Sequence, residues 1–453
     1  MTRIYPHFIV AKFGGTSVAD FDAMSRSASL VLADKNVRLV VLSASAGVTN
    51  LLVELASGLE SRLRLDKIET LRSLQYNILS RLKQPEAIGQ EIDRLLDNIH
   101  RLAEMAAVAR SAALCDELVS HGEMISSLLF VEVLREQEVE AQWFDARKVI
   151  RTDDTFGCAA PAISAIAAMA ENHLRPRIEQ TLVVTQGFIG SDAAGRTTTL
   201  GRGGSDYTAS LLAEALQASR VDIWTDVAGI YTTDPRIVPQ AKRIDNLSFA
   251  EASEMATFGA KVLHPATLLP AMRKDIPVFV GASNNPSAGG TRVCRDVATP
   301  SRYRALAVRR QQTLLTLSSV NAQPAHRFLA DTFAMLSRHE MAFDLVTTSE
   351  TSIALILNAT SATSGEADTL TTALLTELSS HCHVEVETGL VLVSLIGNAL
   401  SEGAAVCKEV FTELENHPVR MICHGASRHA LCFLLPAQFA DSAVKALHRS
   451  LLE

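Results

Sequence analysis

Short uninterrupted apolar runs alternate with amphipathic stretches over the first 300 residues. Phe8-Ile9-Val10-Ala11, 38–43 (RLVVLS), 140–144, 181–185 (TLVVT), 221–226 (VDIWTD) and 276–281 (IPVFVG) each read as a strand, the last of them closing the unit. Runs so short and so apolar suit strands buried on both faces. Between them, apolar residues recur at threes and fours, predicting helices over 20–34, 49–59, 116–135, 160–171, 205–218 and 249–258. Residues 65–110 show only the helical spacing and predict an all-helical insertion. Strands alternating with helices imply an α/β fold with a mostly parallel sheet, whose ligands bind beyond the carboxyl ends of the strands.

From residue 313 the grammar changes. Strand at 313–320, helix at 326–339, strands at 343–348 and 351–357, helix at 366–380 and strand at 383–387 spell β-α-β-β-α-β, the ferredoxin-like unit. The pattern recurs 77 residues on, with Met421 falling against Asp344 (421 − 344), through 390–396, 404–416, 419–423, 429–435 and 438–452. This second copy lacks its sixth element. A spare strand, Tyr303–Arg309, precedes the first copy and would complete the second, so the two units are expected to interleave. The chain then divides into 1–298, 313–388, and 299–312 plus 389–453.

The length of 453 residues exceeds one ordinary core, and the net charge of −8 argues against general nucleic-acid binding. Seven cysteines, at 115, 158, 294, 382, 407, 423 and 432, form no C-x-x-C pair, as expected of free thiols in a reducing compartment. His381-Cys382-His383 lies in a strand-like stretch whose alternate residues face opposite ways, which argues against a metal site. No apolar run reaches membrane-spanning length and no targeting signal opens the chain, so the expected location is the cytoplasm and no membrane partner is expected.

Candidate chemistry gathers at glycine-rich turns. Lys12-Phe13-Gly14-Gly15-Thr16-Ser17 joins the first strand to the first helix. Adjacent glycines let backbone approach a ligand, Thr16 or Ser17 can cap the helix, and Lys12 is a cation at the mouth. Phosphate binding and an ordinary solvated turn are both open on this stretch alone. Residues 190–197 (GSDAAGRT) nearly match a P-loop, but Arg196 stands where its lysine belongs and no helix follows. They read as a turn into Leu200-Gly201-Arg202-Gly203-Gly204-Ser205-Asp206, a second glycine loop opening a second helix. Arg202 offers a fork of donors suited to a carboxylate. Glu123 lies among small and apolar residues on the 116–135 helix, where a partly exposed carboxylate is the simpler reading. A polar loop at 229–236 carries Tyr231 and Arg236.

With these residues in order, the chain resembles the monofunctional aspartokinases, and among them the lysine-sensitive bacterial type. The motifs that carry the resemblance are KFGGTSV at 12–18, TTTLGRGGSD at 197–206, WTDVAGIYTTDPR at 224–236 and FGAKVLHP at 258–265. It implies an amino-acid kinase fold at 1–298 followed by two interleaved ferredoxin-like ACT domains. The implied reaction moves the γ-phosphoryl group of MgATP to the β-carboxylate of L-aspartate. A carboxylate is already ionised at neutral pH, so the work is positioning and charge neutralisation rather than base catalysis.

The resemblance also implies residue roles. Lys12, Asp206 and Lys261 are the catalytic set, with Lys12 and Lys261 on the phosphates and Asp206 holding the lysine. Gly14 and Gly15 supply backbone donors, and Thr225, Asp226, Tyr231, Arg236 and Val262 complete the ATP site. Arg202 takes the α-carboxylate of aspartate and Glu123 its ammonium, with Ser43, Thr49, Gly203, Gly204 and Ser205 lining the pocket. Mg²⁺ rides on ATP oxygens, with no protein metal ligands implied. The implied effector is lysine, with threonine as the other possibility, held by Ala325, Phe328, Leu329, Phe343, Asp344, Ser349 and Glu350. The effector segment 321–327 departs from the family pattern, which has a small residue at 327. Arg327 is expected to reach Asp344 or Glu350, to bind the effector carboxylate, or to point to solvent, and the first case would weaken the response to lysine. A homodimer or higher oligomer through the ACT units is expected. The alternatives are a glutamate or uridylate kinase of the same fold, and a non-catalytic amino-acid sensor. The chain stops after the second ACT unit with no dinucleotide fingerprint following, which argues against a fused homoserine dehydrogenase.

Overall fold

The computed structural model describes residues 7–259, 263–297, 301–320, 324–339, 341, 343–357, 370–402 and 404–453. Contacts group the chain into two compact units. The first comprises Met1–Ile230, Arg243–Ser253 and Lys261–Ala298, and the second Tyr231–Lys242, Glu254–Ala260 and Thr299–Glu453. The division is therefore not a single cut near residue 298. Residues 231–242 group with the second unit because Thr232 accepts from Leu306 N–H at 2.7 Å and Val238 sits in that unit's apolar core.

The first unit is built on an eight-stranded sheet. Its order is Ala141–Phe144, Leu182–Gln186, Val37–Leu42, Ile9–Phe13, Arg220–Thr225, Val278–Ala282, Gly290–Cys294 and Asn246–Ser248. The first six run parallel and Gly290–Cys294 is antiparallel to its neighbour Val278–Ala282. The central Ile9–Phe13 strand is buried at every position. The sheet thus continues past Val278–Ala282, through two short edge strands too brief and too polar to register as apolar runs. A helix at Pro265–Lys274, unanticipated because it contains Pro270, also precedes that strand. Helices Ser61–Leu79 and Glu86–Val108 make up the expected insertion. Residues 190–197 form the turn of a small hairpin, Ile189–Ser191 with Thr197–Thr199, and not a phosphate loop.

Three helix starts differ from the sequence expectation. Phe21–Ala33 is capped by Asp20, whose carboxylate accepts from Ala23 N–H, because a single 3₁₀ turn over Gly15–Val18 intervenes after the glycines. Val48–Ala56 begins from Gly47 at φ +83°, leaving Thr49 inside the first turn. Gly204–Leu216 begins from Gly203 at φ +73°, a left-handed conformation that glycine adopts without strain.

The second unit is one six-stranded antiparallel sheet, ordered Phe343–Thr348, Ser352–Leu357, Tyr303–Ser319, Cys382–Gly397, Ala430–Pro436 and Met421–His424. The two central strands are long enough to serve both halves. Residues 314–319 pair with 382–387 in one half, and 303–309 with 392–397 in the other. The register shifts between Arg309 and Gln312, where Gln311 takes φ +57°. Each half buries a separate apolar cluster, one with Leu315, Phe328 and Leu378, the other with Val393, Phe433 and Leu447.

Candidate active site

The carboxyl ends of Ile9–Phe13 and Val37–Leu42 and the hairpin beside them deliver the residues of one cavity. It measures about 280 Å³ and is lined by Lys12, Ser43, Thr49, Glu123, Phe188, Gly201, Arg202, Gly203, Gly204, Ser205 and Asp206. The structure thus gathers the expected aspartate-binding residues with two of the three expected catalytic ones, Lys12 and Asp206. Lys261 and Val262 lie outside the described residues.

Lys12 is not a surface cation. It is 8 % exposed, and its Nζ lies 2.6 Å from Asp206 Oδ1, in the first turn of the Gly204–Leu216 helix. The two glycine loops are thereby tied together at one ion pair. Gly14 does not offer its N–H to a ligand, because Trp224 carbonyl accepts it at 3.0 Å. Gly15 serves close packing: a Cβ there would meet Ala44 carbonyl at 2.9 Å. Ser43 N–H is accepted by Phe13 carbonyl, which places its side chain at the cavity edge.

Glu123 is buried in the wall of this cavity rather than partly exposed on a helix surface. It is 3 % exposed; its Oε1 accepts from Ala44 N–H at 3.1 Å, and its Oε2 is buried with no partner among the described residues. Burial pushes its carboxyl up to about 8, against the pull of the Ala44 and Glu123 backbone N–H groups and of Lys12. A buried, half-satisfied carboxylate facing a cavity is poised for an incoming cation. Arg202 is exposed at the rim of the same cavity. The N-terminus of Gly204–Leu216 adds backbone donors and a positive dipole end on that side.

Sequence reasoning missed four contributors. Phe188 lines the cavity at φ +70°, held there by Thr208 Oγ1 accepting its N–H at 3.0 Å, and no sequence signal marks a phenylalanine for that conformation. His264 packs on Gly203, where a Cβ would meet it at 2.5 Å; burial, then Arg202, holds its imidazole below the ordinary range while Asp206 opposes. Asp116 is a buried carboxylate on the same Ala112–Glu136 helix as Glu123. Arg26 joins Thr16, Ser17, Asp226, Ser283 and Asn284 around a small cleft of about 30 Å³, where Ser17 and Ser283 hydroxyls bond at 2.7 Å.

The expected ATP residues are only partly united. Thr225 and Asp226 end the Arg220–Thr225 strand in the first unit, with Asp226 exposed. Tyr231 and Arg236 belong to the second unit, where Arg236 pairs with Asp234 at 2.7 Å. Among the described residues no group of three or more histidine, cysteine or acidic side chains could hold a metal ion, and no helix is long and apolar enough to cross a membrane.

The effector residues fall in the second unit and are mixed in character. Phe328 is buried in the apolar core, and the half-buried Leu329 packs against that core. Ala325 opens the Ala325–Arg338 helix, Phe343 packs at a tilt against Phe333 with ring centroids 5.5 Å apart, and Ser349 and Glu350 are exposed. Asp344 pairs at 2.6 Å with Arg309, not with Arg327, which is exposed on the first helical turn and makes no ion pair among the described residues.

Residues 7–282 match the model of the amino acid kinase family, and residues 393–451 match an ACT domain model. The lysine-sensitive aspartokinase 3 of Escherichia coli K12 is 64 % identical over 445 residues, covering 98 % of this chain and 99 % of its own. The crystal structure of E. coli aspartokinase III in complex with aspartate and ADP superposes with a TM-score of 0.93 at 63 % identity, covering 98 % of this chain and 100 % of that one. The same enzyme in complex with lysine and aspartate gives 0.83 over the same coverage. The glycine loops, the buried lysine–aspartate pair and likeness along the whole chain agree, and the chain belongs to the aspartokinases of the amino acid kinase family.

Proposed function

We propose that the protein transfers the γ-phosphoryl group of MgATP to the β-carboxylate of L-aspartate, giving 4-phospho-L-aspartate and ADP. An oxygen of the β-carboxylate forms the new P–O bond as the bond from γ-phosphorus to the β,γ-bridging oxygen breaks. The observation that carries this reading is Glu123 Oε2, buried without a partner among the described residues in a cavity that also exposes Arg202. A zwitterionic amino acid fits: Glu123 takes the ammonium, Arg202 the α-carboxylate, and the reacting carboxylate then faces Lys12. Lys12 neutralises charge on the transferring group, and Asp206 fixes its ammonium in place. Thr225, Asp226, Tyr231, Arg236, Lys261 and Val262 are assigned to the nucleotide. Mg²⁺ carried on ATP oxygens would neutralise phosphate charge.

Lysine is the effector this reading assigns to the ACT units, supported by the complex of lysine with the E. coli enzyme. The reaction draws on ATP and a free amino acid, so the cytoplasm is the assigned location. The test is an aspartyl hydroxamate assay run with aspartate or glutamate, beside an ADP-release assay with uridine monophosphate, each with lysine, threonine or both. Turnover confined to aspartate supports the assignment, and equal or better use of glutamate or the nucleotide overturns it. Arg202→Ala should raise KM for aspartate and leave KM for ATP nearly unchanged, because its partner carboxylate does not react.

A further inference from the structure

Asp116 has no assigned role, yet it is 2 % exposed and accepts three hydrogen bonds. Its Oδ2 takes the N–H of Gly157 at 2.9 Å and the N–H of Thr199 at 2.8 Å, and its Oδ1 takes the Thr199 hydroxyl at 3.0 Å. Thr199 ends the hairpin strand that runs straight into Leu200-Gly201-Arg202. The segment from Gly157 packs against that same turn. Ala159 N–H donates to Thr199 carbonyl at 2.8 Å, and a Cβ on Gly201 would meet Gly157 carbonyl and Cys158 Sγ, each at 3.3 Å. One carboxylate therefore pins both strands of chain that define where the Arg202 loop starts.

Asp116 and Glu123 are seven residues apart on one helix. Seven residues advance about 10 Å and return to within about 20° of the same face. The helix cannot slide to absorb a change, because at Gly122 a Cβ would already meet Ala44 Cβ at 2.8 Å. Glu123 fixes one end of the cavity, and Asp116 fixes the base of the loop that brings Arg202 to the other.

We propose that Asp116 is a positioning residue for substrate recognition, setting the separation between Arg202 and Glu123 to the span between an amino acid's α-carboxylate and its ammonium. The proposal rests on the reading of Arg202 and Glu123 as ligands of the amino acid's α-carboxylate and ammonium. Asparagine keeps the shape, but it gives up the charge-assisted bonds from Gly157 and Thr199 and turns the Thr199 hydroxyl from donor to acceptor.

The test is initial-rate kinetics on the full chain for Asp116→Asn, Thr199→Val, Arg202→Ala and the Asp116→Asn/Arg202→Ala double variant. Asp116→Asn should raise KM for aspartate about tenfold or more and leave KM for ATP within about twofold. A merely structural carboxylate would lower the active fraction and Tm and move neither Michaelis constant. Thr199→Val keeps the backbone bond and loses only the hydroxyl, so it should fold normally and raise KM for aspartate a few-fold. That variant decides the matter if Asp116→Asn fails to fold. The effect of Asp116→Asn should largely vanish in the Arg202→Ala background. If Arg202→Ala raises KM for aspartate while Asp116→Asn and Thr199→Val do not, the positioning role falls and the ligand reading stands. If Arg202→Ala leaves that constant unchanged, the ligand reading falls, and any effect of Asp116 does not run through Arg202.

Discussion

Lys12 Nζ and Asp206 Oδ1 stand 2.6 Å apart, with side chains 9 % and 14 % exposed. Each comes from a different glycine loop, so the pair closes the site as well as charging it. Removing one member of a buried pair leaves the other uncompensated, at a cost of about 3–5 kcal/mol. Lys12→Ala should therefore lower Tm and also cut turnover by about 10²–10³-fold, the usual loss for one charge-stabilising donor. The double variant Lys12→Met/Asp206→Asn should recover most of the Tm and none of the turnover. Thermal unfolding and the hydroxamate assay separate the two effects. Restored turnover in the double variant would remove Lys12 from phosphoryl transfer.

Glu123 gives the site a pH signature. Burial holds its carboxyl near 8, so in the free protein at neutral pH the folded state retains a proton that the unfolded state has lost above about 4.5. Between those two values the unfolded state binds fewer protons, and stability contributed by this group falls as pH rises. An ammonium arriving at Oε2 favours the ionised form. Aspartate binding should thus expel close to one proton at pH 7, and KM for aspartate should drop as pH rises from 6 to 8. Calorimetry in buffers of different ionisation enthalpy counts the proton. Glu123→Gln should abolish the release, and a wild-type protein that releases none would place the ammonium elsewhere.

Much of this was legible in the chain and some could not be. The buried parallel strands show as apolar runs because both faces are covered, and the glycine loops show because glycine is needed for close approach. The role of Glu123 emerges only when a zwitterionic substrate is considered, since the bare pattern favours a surface carboxylate. The short strands Asn246–Ser248 and Gly290–Cys294 carry too few apolar positions to register, and the helix Pro265–Lys274 is masked by its own proline. Caps slipped because an extra 3₁₀ turn or a left-handed glycine moved each helix start by one residue. Asp116 was invisible for a different reason: its partners lie 41 and 83 residues away, and nothing local distinguishes it from any helix-start aspartate.

The edges of the six-stranded sheet predict association. Phe343–Thr348 and Met421–His424 end the sheet on either side, and Phe343, Val346 and Ile422 on them are 36 %, 41 % and 45 % exposed. Unpaired edges bearing apolar side chains are usually covered, most simply by a symmetry-related copy. Light scattering at micromolar concentration should give at least twice the chain mass. Val346→Lys and Ile422→Lys should shift the equilibrium toward monomer with the fold intact by circular dichroism. A wild-type monomer under these conditions would contradict the assignment.

The last prediction concerns the response to lysine. Among the described residues the cation at Asp344 is Arg309, 2.6 Å away, and not Arg327. Arg309 sits where the central strand shifts register, and its Nε donates to Gln312 Oε1 at 2.9 Å. Its guanidinium also reaches Thr257 carbonyl at 3.4 Å, and a Cβ on Gly259 would meet Arg309 Cβ at 3.0 Å. Arg309 therefore touches both a residue assigned to the effector and the stretch that leads to Lys261, assigned to the nucleotide. An effector amine that takes Asp344 must share or displace this guanidinium, and displacement loosens its hold on 257–259. Arg309→Gln removes the competitor and the link together. It should lower the lysine concentration for half-maximal effect several-fold while reducing the maximal inhibition, two changes that a simple loss of binding cannot produce together. Arg327→Gly should alter neither by more than about twofold, because its side chain is exposed and unpaired among the described residues. Inhibition curves for the three proteins at fixed ATP and aspartate decide the point. Unchanged inhibition in Arg309→Gln, or a gain of sensitivity in Arg327→Gly alone, would return the occluding role to Arg327.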